Sequence, residues 1–343
     1  APKGAEAQAA EASRLFDNAW VDASAAAGLI GFDPSGAPGE LLSDRSKTEW
    51  STTVRVLGKP LVVKRFTSLS KHSDSRRAAQ NELLARLFVA DPAFAPVFAG
   101  AFTMPRAVAY EKRSWNPFAA RRTVVAMEAA PGKPLGAFPL SDPRAWVPRR
   151  LYGPLFALTR SLGLGDMNPG GLLVDEAGRY TLLDTEQGRY ESHPSPNLFV
   201  PVDMPWVVNE ALNEPADYAS AVAAFRSAFA KAEADGSLSA LLQKAGLTRS
   251  EAKRDLELIK GNVSRLDEVL AADLHVANRT FLKGAKEWGL DDAQARALSG
   301  VNRALLALEG GLAERRAVAM RDAARAALSR AGELTHRNYV LGP

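Results

Sequence analysis

Leu162–Gln187 reads LGLGDMNPGGLLVDEAGRYTLLDTEQ, and the rest of the chain is organised around it. Two acidic residues, Asp166 and Asp184, each follow an apolar or glycine-rich approach. Between them lie a short apolar run (Leu172, Leu173, Val174), a turn signal from Asp175 to Gly178, and a second apolar run from Tyr180 to Leu183. That order predicts a loop, a strand, a tight turn and a second strand. Such a hairpin delivers Asp166 from the loop before its first strand and Asp184 from the end of its second. Two carboxylates converging on one cleft are the donors that hold a hard divalent cation and orient a hydroxyl.

Gly165-Asp166-Met167-Asn168-Pro169-Gly170-Gly171, followed by Leu182-Leu183-Asp184, resembles the catalytic loop and metal-binding segment of the protein-kinase-like superfamily. The nearer likeness is to its atypical branches: phosphatidylinositol kinases, actin-fragmin-type kinases and aminoglycoside phosphotransferases. The resemblance spans roughly residues 40 to 210. It implies an α+β, two-lobed kinase-like fold with ATP and Mg²⁺ (or Mn²⁺) as cofactors. Asp166 would orient the attacking hydroxyl and take its proton, while Asp184 would bind the metal. One departure matters: the position five after Asp166, a metal-binding Asn in those families, is Gly171. Asn168 and Glu186 are the candidate replacements, because Mg²⁺ accepts any suitably placed oxygen. Glu186 is the better placed, on the same segment as Asp184.

Upstream, the pattern turns to β from Leu41 to Phe66. Trp50, Thr52, Val54 and Val56 alternate with Ser51, Thr53 and Arg55, and Leu61–Phe66 makes the next strand. Lys64 falls where the resemblance places the lysine that steadies the α- and β-phosphates. By itself, a lysine ending an apolar strand reads as an exposed edge residue. In place of a glycine-rich phosphate loop stands Ser43-Asp44-Arg45-Ser46-Lys47-Thr48. Ser46 and Lys47 are candidates for phosphate contact there, with a polar hairpin turn as the alternative.

Ser75 to Val89 predicts a helix with an apolar stripe of Ala78, Ala79, Leu83, Leu84, Leu87 and Phe88. Glu82 within it is the candidate partner of Lys64. Val97–Met104 and Val108–Tyr110 read as short strands. Thr123–Glu128 is an apolar strand running into Ala129-Ala130-Pro131-Gly132, which resembles a hinge between lobes. The resemblance puts the backbone of Glu128 and Ala130 on the adenine edge and Met127 behind the pocket. Pro148–Leu162 predicts a helix ending at Gly163, with Pro154 a kink or a delayed start.

The remaining segments complete four units: 1–40, a helical extension (Ala5–Trp20) and linker; 41–130, an N-lobe; 131–214, a C-lobe core; and 215–343, an all-α C-terminal part. Gly188–Pro205, about 18 residues of Pro, Ser and Asn, predicts a long functional loop. Thr248-Arg249-Ser250-Glu251 is a capping-box signature within a region helical from Ala219 to Arg330. Those C-terminal helices offer a surface for a partner.

Composition narrows the classes. The 343 residues suffice for two lobes, and 46% hydrophobic with 24% charged residues is the mixture of a soluble globular chain. Cysteine is absent, which excludes disulfides, thiolate metal sites and a cysteine nucleophile. No run of about 18 apolar residues predicts a transmembrane segment. A net charge of +4 and a pI near 9.3 favour anionic partners without demanding them. The Lys112–Arg122 loop, basic with Trp115 and Phe118, suits an anionic lipid or a protein acceptor, and no nucleic-acid motif is evident. The expectation is therefore phosphoryl transfer from ATP to a lipid (phosphoinositide) or protein hydroxyl. Its alternatives are a pseudokinase acting as a binding module and a kinase-fold AMP transferase. The compartment stays open between cytoplasm and a secreted, effector-like setting.

Overall fold

The computed structural model describes residues 16–23, 40–43, 51–56, 59–67, 75–112, 122–138, 149–164, 169–185, 215–267 and 269. Within these, the chain is a mixed α/β protein with two sheets and six α-helices. The larger sheet has six strands: β1 (Ala19–Trp20), β2 (Glu40–Ser43), β3 (Ser51–Val56), β4 (Lys59–Thr67), β5 (Ala107–Lys112) and β6 (Arg122–Glu128). Their order is β1-β5-β6-β4-β3-β2, antiparallel except for the parallel β1–β5 pair.

The period-two alternation of β4 decides what each sheet face does. Leu61 and Val63 turn to one side with Val108, Tyr110, Val124, Ala126 and Phe16. Val62, Lys64 and Phe66 alternate with them and turn to the other side, where Val125 and Met127 pack under helix α1 (Ser75–Ala90). A lysine has thus been placed on the helix-covered face of an apolar strand. It lies inside the strand, paired in register with Ser51 and Val125, and is buried.

Helix α1 is buried without interruption from Ala78 to Phe88, which is more than one stripe. Its second face lies under two C-terminal helices, α5 (Ser237–Lys244) and α6 (Arg249–Ser264), the latter opened by the expected capping box of Thr248 and Glu251. Arg76 and Gln80 both donate to the Gly246 carbonyl, at 2.8 and 3.0 Å, and the Arg76 guanidinium lies 5.2 Å from the Trp20 ring centroid. Gly246 has φ +88°, and a Cβ there would come within 2.6 Å of the Trp20 ring, so the junction needs glycine. Arg77 donates to Asp255 at 2.9 Å, and Asp255 is 1% exposed. Removing one partner of a buried pair strands the other charge. Asp255→Ala is expected to cost about 3 kcal/mol, the lower end of the usual penalty because Arg77 can reach water. The midpoint of urea unfolding measures it.

The aromatic centre of the molecule joins α1 to α2 (Ala95–Phe98) and α4 (Pro215–Ala234). Phe94 lies 4.8 Å from Phe88 and 5.1 Å from Phe225, centroid to centroid. Helix α3 (Tyr152–Leu162) packs on α4 and α6 and ends in a left-handed Gly163, as expected. Its start is delayed to Tyr152, which leaves Pro154 in the first turn, where its missing N–H has no intrahelical acceptor to lose. No described helix is long and apolar enough to cross a membrane.

Two sequence expectations are corrected. Phe16–Asn18 form a turn and Ala19–Trp20 a strand, so the predicted N-terminal helix does not reach Trp20. The Asn18 side chain accepts from the Ala107 N–H at 2.9 Å, and β5 offers a free edge, which together outweigh helix propensity. Val97–Phe98 belong to α2 rather than to a strand. Of Val97–Met104 only Thr103 pairs, in an isolated bridge to Thr181. Pro92 and Pro96 fix helical φ values there, so apolarity was the wrong cue. Residues 1–15 and 271–343, with the expectations placed on them, lie outside the described residues.

Candidate functional site

The smaller sheet is the hairpin read from Leu162–Gln187. Strands β7 (Lys133–Pro134), β8 (Leu172–Val174) and β9 (Tyr180–Leu182) form an antiparallel set. Gly132, in the segment between β6 and β7, has φ +110°, and a Cβ there would sit 2.5 Å from the Val174 carbonyl oxygen. This glycine lets the crossing segment press against the hairpin. Asp175 closes the turn. Its Oδ1 accepts from the N–H groups of Ala177 and Arg179, both at 2.9 Å, and its Oδ2 from Arg179 Nε at 2.7 Å. These bonds, led by the Arg179 N–H, hold the Asp175 carboxyl below its ordinary range.

A carboxyl depressed in the folded state contributes stability above its unfolded value and loses it as pH falls through the folded one. The hairpin is therefore expected to loosen below about pH 4. Amide protection factors of Ala177 and Arg179 should fall there, and Asp175→Asn should remove the pH step.

The hairpin delivers its last residue to the large sheet. Leu183 N–H bonds the Gly171 carbonyl at 2.7 Å, and Leu182 N–H bonds Thr103 at 2.8 Å, which fixes the exit of β9. Asp184 follows with φ +41°, a left-handed conformation rare for a residue with a side chain. Strain of this kind persists where the surroundings over-determine it, and it clusters at functional sites.

Lys64 Nζ donates to Asp184 Oδ1 at 2.6 Å, across 120 positions of sequence, and also to Glu82 Oε1 on α1. Lys64 and Glu82 are 7% and 0% exposed, whereas the Asp184 side chain is 43% exposed. One ammonium is thus pinned between a wholly buried carboxylate and one that still faces solvent. Three separate elements supply the three groups: β4, α1 and the end of the hairpin.

Two residues of this cluster had not been singled out in the sequence. Arg86 and Thr185 are 1% and 0% exposed, and both bond the other oxygen of Glu82, Thr185 at 3.0 Å. The available signal was a lone cation in the apolar run Leu83-Leu84-Ala85-Arg86-Leu87-Phe88, four residues after Glu82.

Met127 is buried at the end of β6, behind the cluster. Glu128 donates its backbone N–H to the Arg106 carbonyl at 3.0 Å and receives Arg106 on its carboxylate at 2.7 and 3.1 Å. Ala130, half-buried, opens the crossing segment. Gly171 faces Asp184: a Cβ there would lie 3.6 Å from Asp184 Cβ, in ordinary contact. Asp166, Asn168, Glu186, Ser46 and Lys47 lie outside the described residues. Among the described residues no three acidic, His or Cys side chains gather as a metal site. In the Lys64 cluster, Asp184 offers a hard, half-exposed oxygen of the kind Mg²⁺ takes.

No family model and no curated protein matches the chain. Among solved structures it is similar to the MAP kinase LmaMPK10 from Leishmania major, with 12% identity over 86% of this chain and 95% of that one, at a TM-score of 0.31. The chemistry of the site is carried by the side chains described above.

Proposed function

We propose that the chain is an ATP- and Mg²⁺-dependent phosphotransferase acting on a hydroxyl of a lipid or protein. The observation that carries this reading is the Lys64 ammonium, buried yet directed at a half-exposed carboxylate and braced from behind by Glu82. A buried lysine beside a half-exposed carboxylate is costly for stability and suited to a site that meets an anion arriving from solvent. Phosphoryl transfer asks for little else from protein than positioning and fixed charge.

In this reading Lys64 steadies the nucleotide phosphates and Asp184 holds the metal, which supplies charge neutralisation when bound. Asp166 takes the proton of the acceptor hydroxyl as its oxygen bonds the γ-phosphorus. The bond from that phosphorus to the bridging oxygen breaks, and ADP leaves. Met127, with the Glu128 and Ala130 backbone, borders the base. Ser46 and Lys47 would contact the phosphates, and Asn168 or Glu186 would complete the metal shell.

The two-lobed kinase-like architecture, with lobes meeting near residue 130, belongs to the same proposal. It is supported by a sheet-borne lysine meeting a hairpin-borne aspartate. A second reading, a pseudokinase that binds nucleotide without turnover, is favoured by one feature. Gly171 puts no side-chain oxygen beside Asp184, although a Cβ would fit there.

ATP labelled at the γ or the α position separates the readings. The protein is incubated with Mg²⁺, phosphoinositide vesicles and a generic protein acceptor. Transfer of γ label supports the phosphotransferase, and α label indicates AMP transfer. Saturable Mg·ATP binding with neither label indicates the binding module. Neither binding nor transfer overturns nucleotide chemistry at this site.

A further inference from the structure

Arg86 is the largest fully buried side chain of the described protein, and its guanidinium reaches four places at once. Nη1 bonds the Glu82 carboxylate, the Glu82 backbone carbonyl at 2.7 Å and Thr185 Oγ1 at 3.5 Å. Nε donates to the Pro105 carbonyl at 2.9 Å, and Nη2 to Met127 Sδ at 3.4 Å. One planar fork therefore ties α1 to the segment before β5, to the end of β6, and to the residue after Asp184.

A leucine or methionine would fill this volume without the several kcal/mol needed to strip water from a guanidinium. Filling the core is thus no reason for arginine here. Geometry supplies a reason. Glu82 has two oxygens, one on Lys64 and one on Arg86, with Thr185 sharing the second. Arg86 fixes the plane of that carboxylate and therefore the direction in which Oε1 meets Lys64. Charge supplies another. Lys64 and Arg86 set two cations against the two carboxylates of Glu82 and Asp184. Without Arg86, Lys64 would stand against both carboxylates alone, and its positive field toward an incoming phosphate would be largely cancelled.

We propose that Arg86 is a positioning residue: it holds Glu82, and through Glu82 and Thr185 it sets Lys64 and the Asp184 segment in their working arrangement. This rests on the phosphotransferase reading for its consequence, since the arrangement is one for receiving nucleotide phosphates. Lysine at this position would keep a cation beside Glu82. It lacks the fork that spans Pro105, Glu82, Thr185 and Met127 together.

The test compares the wild-type chain with Arg86→Lys and Arg86→Met by two readouts. The first, which needs no nucleotide, is the rate at which an acetylating reagent modifies Lys64, followed by peptide mass spectrometry against the remaining lysines. The second is Mg·ATP affinity. Arg86→Lys is expected to fold, to raise Lys64 modification severalfold, and to weaken Mg·ATP binding by about tenfold, in line with losing a residue that orients a liganding group. Arg86→Met, where it folds, should weaken Mg·ATP binding more strongly.

Wild-type values in Arg86→Lys would show that a buried charge suffices, and the positioning role would be overturned. Should the wild-type chain bind no Mg·ATP, the phosphotransferase reading falls, while Lys64 modification still decides whether Arg86 orders the cluster.

Discussion

Asp184→Asn is expected to lower Mg²⁺-dependent γ-phosphoryl transfer by about 10³-fold while changing stability by less than about 1 kcal/mol. The two halves of that expectation have different origins. Asp184 is half-exposed, and Lys64 keeps Glu82 when the aspartate charge is removed. An ion pair open to water is screened and contributes little to folding. Asparagine also adopts the left-handed backbone at φ +41° as readily as aspartate does, so no new strain enters. For catalysis, losing one anionic metal ligand removes stabilisation that matters most as charge moves in the transition state. A thousandfold corresponds to about 4 kcal/mol. Single-turnover transfer from γ-labelled ATP, paired with urea unfolding of the same preparation, reads both. Undiminished transfer in a folded Asp184→Asn protein would remove Asp184 from the chemistry. A stability loss of several kcal/mol would make it a structural residue instead.

The hairpin was legible because its signals are local. Two short apolar runs on either side of the turn signal from Asp175 to Gly178 dictate β8, the turn and β9 within a dozen residues. The meeting of Lys64 with Asp184 was legible only through resemblance, since nothing local links residues 120 positions apart. Read alone, Lys64 ended an apolar strand as an edge lysine would. It is instead an interior position of β4 on the face that α1 covers. The all-round burial of α1 was not legible, because part of it comes from α5, α6 and the junction between them, more than 150 residues later. Trp20 misled for the same reason. An alanine-rich run favours helix by propensity, but Trp20 fills a slot made by Gly246 and Arg76, and tertiary contact outweighs a preference of tenths of a kcal/mol per residue. Arg86 gave the faintest signal, one cation among leucines and a phenylalanine. Only its distance of four from Glu82 hinted at an ion pair.

Glu82→Gln is expected to be the most destabilising isosteric change in the described protein, at about 3–5 kcal/mol. Glu82 is fully buried and is the carboxylate on which both Lys64 and Arg86 converge. Glutamine keeps the shape but leaves the buried Arg86 guanidinium without the charge that offsets its desolvation, and Lys64 with Asp184 as its remaining carboxylate. It also turns one accepting oxygen into an NH₂ donor facing a donor. The double variant Glu82→Gln/Arg86→Met withdraws the stranded guanidinium. It should recover a large part of the loss, since residues in one network are strongly non-additive. Urea unfolding of wild type, the two single variants and the double variant gives the coupling directly. A Glu82→Gln cost below about 1 kcal/mol would mean that the cluster is not held together by charge. Recovery in the double variant would also separate fold from chemistry. The molecule would regain stability with Lys64 unbraced, and nucleotide affinity should stay low, because charge balance is what the fold requires while the direction of one ammonium is what the site requires.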